Sequence, residues 1–182
     1  MKSTWLPILA AANLLQPLEK RDTGQANAAM SKELNGVLGK LYQVISFPEG
    51  GCPDWEGMAK LFLDCARITR ITPEARDEFD VDGFQAMLSE LLESGVYTSF
   101  FECEVGRRTE TFGCMAHVLS AYETKRDAAA TARLGAGVNS IQLVREQGTW
   151  RILSLVWDEG DSHLAFSPEQ FQNMEIHYGQ TR

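Results

Sequence analysis

Positive charge is scarce in this sequence. Its 182 residues include 17 lysines and arginines against 25 aspartates and glutamates, which gives a net charge of -8. Proteins that bind nucleic acids neutralise phosphates with clustered basic side chains, so this balance argues against a DNA or RNA partner. The composition, 44% hydrophobic and 23% charged, is typical of a globular protein, and the length suits one domain with a modest extension.

Metal-binding patterns are missing as well. The sequence has three histidines and four cysteines, and no two cysteines have the CxxC spacing. The cysteines are Cys52, Cys65, Cys103 and Cys114, and the histidines are His117, His163 and His177. Zinc sites need such ligands at short spacings, so no metal site is predicted, and no other cofactor. The cysteines are interpreted as small buried thiols.

The apolar stretch at the N-terminus is too short to span a bilayer. The segment MKSTWLPILAAANLLQPLEKRD resembles a secretory signal, because one lysine precedes an apolar run. Pro7 and Asn13 interrupt that run, and the nearest later Ala-x-Ala, Ala26 to Ala28, follows a charged segment. Residues 1–27 are therefore predicted to form an N-terminal arm of a cytoplasmic protein without membrane contact, with export to the periplasm as the alternative.

Three helices are predicted in the first half of the chain. Apolar residues recur at spacings of three and four from Leu34 to Ile45, which predicts a helix of about four turns. After the loop FPEGGCP, Asp54 offers a side-chain cap to a second helix, and the short strand CARITRI follows. A third helix begins near Val81 and ends at Gly95.

Strands are predicted from Val96 onward. The segments YTSFFECEVGRRTETFG, CMAHVLSAYETKR, LGAGVNSIQLVREQG and TWRILSLVWDEG are separated by glycine or charged turns, and Gln147 and Gly148 bend the last hairpin. This order excludes a doubly wound fold. The predicted class is α+β, with three N-terminal helices in the concave face of a strongly curved antiparallel sheet (α-α-β-α-β-β-β-β). Residues 28–160 would form this domain, and residues 161–182 a C-terminal tail.

The last predicted strand is apolar on both faces. Strict alternation sets Trp150, Ile152, Ser154 and Val156 against Arg151, Leu153, Leu155 and Trp157. A solvated outer face would not tolerate so much apolar surface. A homodimer is therefore predicted through the outer face of the sheet, with Leu153, Leu155 and Trp157 in the interface.

Three stretches carry a family resemblance. DWEGMAKLFLDCARIT follows the first helix, NSIQLVREQGTWRILSLVWD ends the strands, and RRTETFGCMAHVLSAYET is similar to uncharacterised bacterial proteins. Together with the order of elements, they resemble the nuclear transport factor 2-like superfamily and its SnoaL-like branch over residues 28–158. The resemblance implies a cone in which the sheet curls around helix one and leaves a pocket at its open end. It also implies pairing of subunits through the outer sheet face.

The resemblance also implies site residues. In steroid isomerase relatives a tyrosine on the first helix stabilises an oxyanion and an aspartate on the first strand removes a proton. Tyr42 matches the tyrosine, whereas the aspartate position falls near Arg70, which could instead hold an anion. Asp64 matches a non-catalytic acid. The expected base of an isomerase is therefore absent from its usual position.

Candidate catalytic residues remain if the protein is an enzyme, which the sequence leaves open. His117 or Glu104 would supply the base and Tyr42 the oxyanion donor. Against this, a single histidine in a strand is more often a hydrogen-bonded structural residue than a base. Glu104 belongs to the charge run from Glu102 to Glu110, which is interpreted as a ladder on a solvated edge. The predicted pocket residues are Tyr42, Trp55, Arg70, Tyr122, Asn139, Gln142 and Trp157.

The favoured function is binding of a small hydrophobic or partly anionic molecule in the cone. The alternative is a cofactor-free isomerase, lyase or cyclase, and the third hypothesis is an accessory dimerisation module. The fold hosts all of these classes, so only the site can distinguish them.

Overall fold

A computed structural model describes residues 23–159 and 174–178. The helices are α1 (Thr23–Ile45), α2 (Trp55–Leu61) and α3 (Val81–Glu93). The strands are β1 (Phe62–Ile71), β2 (Arg76–Phe79), β3 (Phe101–Phe112), β4 (Met115–Lys125), β5 (Gly135–Glu146), β6 (Thr149–Glu159) and β7 (Met174–Tyr178). Most of the predicted N-terminal arm and of the C-terminal tail, including His163, lies outside the described residues.

The three predicted helices are confirmed, and their caps explain where two of them begin. The Asp54 carboxylate accepts a hydrogen bond from the Gly57 amide at 2.8 Å, at the start of α2. Asp80 does the same for the Gly83 amide at 2.8 Å, at the start of α3. Helix α1 begins at Thr23 and therefore extends across the predicted boundary of the arm at residue 27.

The strands form one mixed sheet in the order β2-β1-β6-β5-β4-β3-β7. Strands β3 to β6 make the predicted antiparallel meander, and Gln147 and Gly148 bend its last hairpin with φ of 51° and 83°, as a two-residue turn of that twist requires. The purely antiparallel prediction is wrong at two places. Strand β1 pairs with β6 in parallel, and β7, from the predicted tail, pairs with β3 in parallel.

The helices cover one face of the sheet and bury its apolar residues. The large side chains that are almost fully buried include Leu34, Leu38, Met58, Ile68, Ile141, Leu143 and Ile152. Burial of such a side chain contributes about 1.5–3 kcal/mol, so this layer is the main stabilising contact between α1 and the sheet. The covered face is called the inner face below.

A bulge in β6 reverses the predicted faces of its second half. Gln142 pairs with Ser154 and Leu143 pairs with Ile152, so Leu153 is an extra residue without a partner in this register. Beyond it, Leu155 is 8% exposed within the core, and the Trp157 ring packs edge to face on Phe84 of α3 at 5.6 Å. The prediction that Leu155 and Trp157 face a partner subunit is therefore wrong.

The cysteine side chains are more exposed than predicted. Cys52, Cys65 and Cys114 are exposed and Cys103 is half-buried, so the prediction of buried thiols is wrong. Within residues 23–159 and 174–178, no helix has the length and apolar character needed to cross a membrane.

Candidate functional site

An open pocket of about 520 Å³ lies between the C-terminal half of α1 and the start of β3. Its lining residues are Gly39, Tyr42, Gln43, Ser46, Phe47, Pro48, Phe100, Phe101, Glu102, Cys103, Glu104, Asp127 and Ala128. Ligand pockets commonly have volumes of about 300–1,000 Å³ with apolar walls and a few polar groups, and this pocket has that character.

The end of α1 is tied to β3 by hydrogen bonds that set the pocket's width. The Ser46 hydroxyl donates to the Tyr42 carbonyl at 2.7 Å and accepts from the Glu102 amide at 3.0 Å. Phe47 and Phe100 exchange two backbone hydrogen bonds of 2.7 and 2.9 Å, and their rings stack at 6.3 Å. Tyr42 and Glu102 are therefore held on neighbouring elements at the pocket floor.

Tyr42 begins a directed chain of hydrogen bonds. Its hydroxyl lies 2.6 Å from Ser120 Oγ, and the Ser120 hydroxyl donates to the Glu104 carboxylate in a very short bond. Because Ser120 has one proton and gives it to Glu104, Ser120 must accept the proton of Tyr42. The Asn139 amide donates to the Tyr42 oxygen at 3.2 Å. The Tyr42 hydroxyl proton therefore already makes a hydrogen bond within the protein.

Glu104 is also held by a cation. Arg107 forms an ion pair with its second carboxylate oxygen at 2.6 Å and donates to Asn35 Oδ1 of α1 at 2.8 Å. A bulge between Glu104 and Gly106 makes this contact possible, because it turns residues three apart onto one face of the strand. The side chains of Glu104 and Arg107 are only 17% and 18% exposed, so solvent screens their attraction weakly.

Glu102 has the most altered chemistry of the pocket's carboxyl groups. Burial raises the pKa of its carboxyl group to about 8, and a hydrogen bond with Asn139 opposes part of that rise. The Glu102 carboxyl group is therefore mostly uncharged at neutral pH. Burial also raises the pKa of Glu104, although its bonds to Ser120 and Arg107 oppose the rise.

The pKa of the Tyr42 hydroxyl lies well above its ordinary value, chiefly because the group is buried. Its hydrogen bond with Ser120 acts in the opposite direction. The hydroxyl therefore stays protonated, with its proton directed to Ser120. The role of Tyr42 as an oxyanion donor stays a prediction.

The structure brings four of the predicted residues together. Tyr42, Glu104 and Asn139 share the hydrogen-bond chain, and Tyr122 is buried beside them on the inner face of β4. A side chain at position 137 would approach the Tyr122 hydroxyl to 2.6 Å, so Gly137 leaves the space that Tyr122 occupies.

Two predicted residues lie on the other face of the sheet. His117 alternates with the buried Ala116 and Val118, and its Nε2 lies 3.0 Å from Ser140 Oγ on the outer face. The sheet separates it from Tyr42, so it cannot act as the base of this site. Gln142, which pairs with His117, is exposed on the same outer face and does not line the pocket.

Three further predicted residues lie on the inner side but away from the pocket. Trp55 starts α2 and packs against the core, and Trp157 packs on α3. Arg70 pairs with Trp157 across the sheet and makes an ion pair with Asp77 at 3.7 Å. Arg70 lies two strands from Asn139, about 10 Å at the usual strand spacing, and it is not among the residues that line the pocket.

Sequence reasoning missed Glu102, Ser120 and Arg107 as site residues. Glu102 and Glu104 have the spacing of two that places strand residues on one face, and this signal was present in the sequence. Arg107 could not be assigned to that face, because strict alternation puts it opposite and only the bulge returns it. No group of three or more histidine, cysteine or acidic side chains in the described ranges is arranged to hold a metal ion.

Comparison with known proteins shows the fold. No protein-family model matches the sequence, and no curated protein matches it. The structure is similar to that of a protein of unknown function with a cystatin-like fold from Nostoc punctiforme, with a TM-score of 0.58, 12% identity, and coverage of 76% of this chain and 96% of that one. An NTF2-like protein with a cystatin-like fold from Novosphingobium aromaticivorans has a TM-score of 0.56 and 12% identity, covering 82% of this chain and 96% of that one.

LinA is also similar, with a TM-score of 0.57 and 10% identity over 80% of this chain and 99% of that one. The chain therefore has the nuclear transport factor 2-like, cystatin-like fold that the sequence resemblance implied. At these identities the likeness concerns the fold alone, and function must be argued from the pocket.

Proposed function

We propose that this protein binds a small hydrophobic molecule in the pocket between α1 and β3. The observation that carries the proposal is the pocket itself, whose walls include Phe47, Pro48, Phe100 and Phe101 and whose floor carries the polar groups of Tyr42 and Glu102. Apolar walls supply affinity, and a few buried polar groups orient the ligand.

One glycine of α1, Gly39, supports this proposal. Glycine inside a helix costs about 1 kcal/mol relative to alanine. A Cβ added at Gly39 would meet no atom within 4 Å, so packing does not require a glycine there. Gly39 lines the pocket, and we attribute its presence to the room it leaves for a ligand. Gly36 is equally unobstructed but lines a different depression, near Trp150.

The pocket lining does not support the sequence-based hypothesis of a partly anionic ligand. That hypothesis relied on Arg70, which is paired with Asp77 and lies outside the pocket lining. The lining residues include three acids and no lysine, arginine or histidine. We therefore propose a ligand that is hydrophobic and not anionic.

Native mass spectrometry of the protein purified from its own host tests the proposal. We expect additional mass from a retained small molecule, and loss of that mass in Gly39→Leu, whose side chain would enter the pocket. Gly36→Leu is the matched control on the same helix and should retain the ligand. Equal retention by both variants would show that the molecule binds elsewhere, and absence of any binder in a screen of hydrophobic compounds would refute the proposal.

A cofactor-free isomerase, lyase or cyclase is the second candidate, and Glu102 is the observation that favours it. A carboxyl group with a pKa of about 8 in a ligand pocket can accept or return a proton near neutral pH. The captured molecule should then be converted on incubation with fresh protein, and Glu102→Gln should abolish the conversion. An unchanged molecule, followed by NMR, would leave binding alone.

A further inference from the structure

The pocket between α1 and β3 has acidic but no basic side chains in its lining. Its lining contains Glu102, Glu104 and Asp127, and none of its lining residues is basic. Arg107 approaches from outside the lining and is already engaged by Glu104. Although Glu102 is mostly uncharged and Glu104 is paired with Arg107, the pocket offers carboxyl groups to a cation and no basic group to an anion.

The apolar part of the same pocket suits a cation with a hydrocarbon body. Phe47, Phe100 and Phe101 are among its lining residues, the rings of Phe47 and Phe100 stack at 6.3 Å, and Tyr97 packs edge to face on Phe100 at 5.6 Å. Aromatic faces attract positive charge while they bury apolar surface. A ligand with both properties would use the whole lining, whereas a purely apolar ligand would leave the carboxyl groups unused.

Glu102 lies where such a cation would be recognised. The groups around it are Tyr42 of α1, Asn139 of β5, and Cys103 and Glu104 of its own strand. None of these is cationic. Burial favours the uncharged form of the Glu102 carboxyl group, and a nearby positive charge would favour its ionised form.

We propose that the ligand is a hydrophobic amine, whose protonated nitrogen pairs with Glu102 and whose hydrocarbon body lies against the phenylalanines. This inference rests on the proposed binding function and adds the chemical class of the ligand. On binding, Glu102 loses its proton to the solvent and the ammonium keeps its own. The product is an ion pair between a carboxylate and an ammonium, and no covalent bond changes.

The test compares probes of one shape and three charges: 4-phenylbutylamine, 4-phenylbutanol and 4-phenylbutyrate, with n-alkylamines of increasing length beside them. Titration calorimetry in two buffers of different ionisation enthalpy measures affinity and proton release together. We expect the amine to bind most tightly and the butyrate most weakly. Amine affinity should rise about tenfold from pH ~7 to pH ~9, and proton release should fall from near one to near zero, because Glu102 with a pKa of about 8 becomes ionised without ligand.

Glu102→Gln should lose the pH dependence and most of the amine affinity. Glu110→Gln is the matched control, because it removes one charge from the outer face of the same strand, where Glu110 pairs with His117. Equal losses in both variants would mean that the protein's overall charge attracts the amine, and would overturn the inference. An alcohol that binds as tightly as the amine, without proton release, would overturn the inference of an amine ligand and leave the proposed binding function in place. If none of the probes binds the folded protein, both proposals fail.

Discussion

Glu102 couples the stability of this protein to pH. Its carboxyl pKa is about 8 in the folded protein, because of burial, against 4.5 for the free group. Between these values the folded protein holds a proton that the unfolded chain has released. The free energy of unfolding therefore falls as pH rises through this window, and the loss is complete above about pH 8.

Glu102→Gln should remove its own part of this dependence, while Glu104, whose pKa burial also raises, keeps its part. One proton changes the free energy of unfolding by at most about 1.4 kcal/mol per pH unit. Because the parent loses this free energy as pH rises and the variant does not, the variant should be more stable than the parent above pH ~8. Urea denaturation of both proteins at intervals from pH ~5 to pH ~9 measures the pH dependence of the free energy of unfolding. Glu110→Gln, on the outer face, should retain the parent's slope, and a parent slope that survives in Glu102→Gln would show that another group causes it.

The Tyr42 hydroxyl should act together with Ser120 in stability. It donates to Ser120 and accepts from Asn139, so Tyr42→Phe leaves the Asn139 amide with one acceptor fewer. We expect Tyr42→Phe and Ser120→Ala each to cost about 1–3 kcal/mol.

Because the two substitutions break the same contact, the double variant should cost clearly less than their sum, measured by a double-mutant cycle in urea. Tyr97→Phe is the control, since Tyr97 is 39% exposed and its change should stay within about 0.5 kcal/mol. Strictly additive costs for Tyr42 and Ser120 would contradict the shared hydrogen bond.

At the level of the elements, two bulges determine which side chains reach the inner face. The bulge in β3 brings Arg107 to the same face as Glu104, and the bulge in β6 turns Leu155 and Trp157 inward. Each bulge reverses the alternation for the rest of its strand, so the identity of the site residues depends on them.

Neighbouring substitutions in β6 test the second bulge. Leu155→Ala should destabilise the protein by about 2–5 kcal/mol, because it leaves a cavity in the core. Val156→Ala, on the half-buried outer face, should cost under about 1 kcal/mol. Thermal or urea unfolding compares them, and a larger cost for Val156 would mean that β6 follows strict alternation.

At the scale of the whole molecule, the homodimer remains a prediction, but through different residues. Val156 pairs with Ser140, which pairs with Leu119, and this row lies on the outer face of the sheet. All three residues are half-buried in the single chain, so a second copy placed there would cover apolar surface.

We expect sedimentation at micromolar concentration to give twice the chain mass, and Val156→Glu to give the monomer with an unchanged circular dichroism spectrum. A charge buried in an interface without a partner is strongly unfavourable. Lys60→Glu, on the exposed side of α2, should leave the dimer intact, since Lys60 is 71% exposed. A monomeric parent protein would refute the predicted dimer.

The local sequence determined the three helices and the four strands of the meander, but not β2 or β7. The spacing of apolar residues in α1, the Asp54 cap of α2 and the Gln147–Gly148 hairpin were predictable, because each depends on contacts between residues close in the chain. The α+β class follows from their order.

Only the tertiary structure decided the composition of the site. Tyr42, Glu104 and Asn139 were among the predicted residues, but their partner Ser120 is 78 residues from Tyr42 in the chain. His117 and Gln142 were assigned to the site because the sequence does not show which face of a strand turns inward. That choice depends on packing against α1 and on the bulges, which are properties of paired strands and not of any one segment.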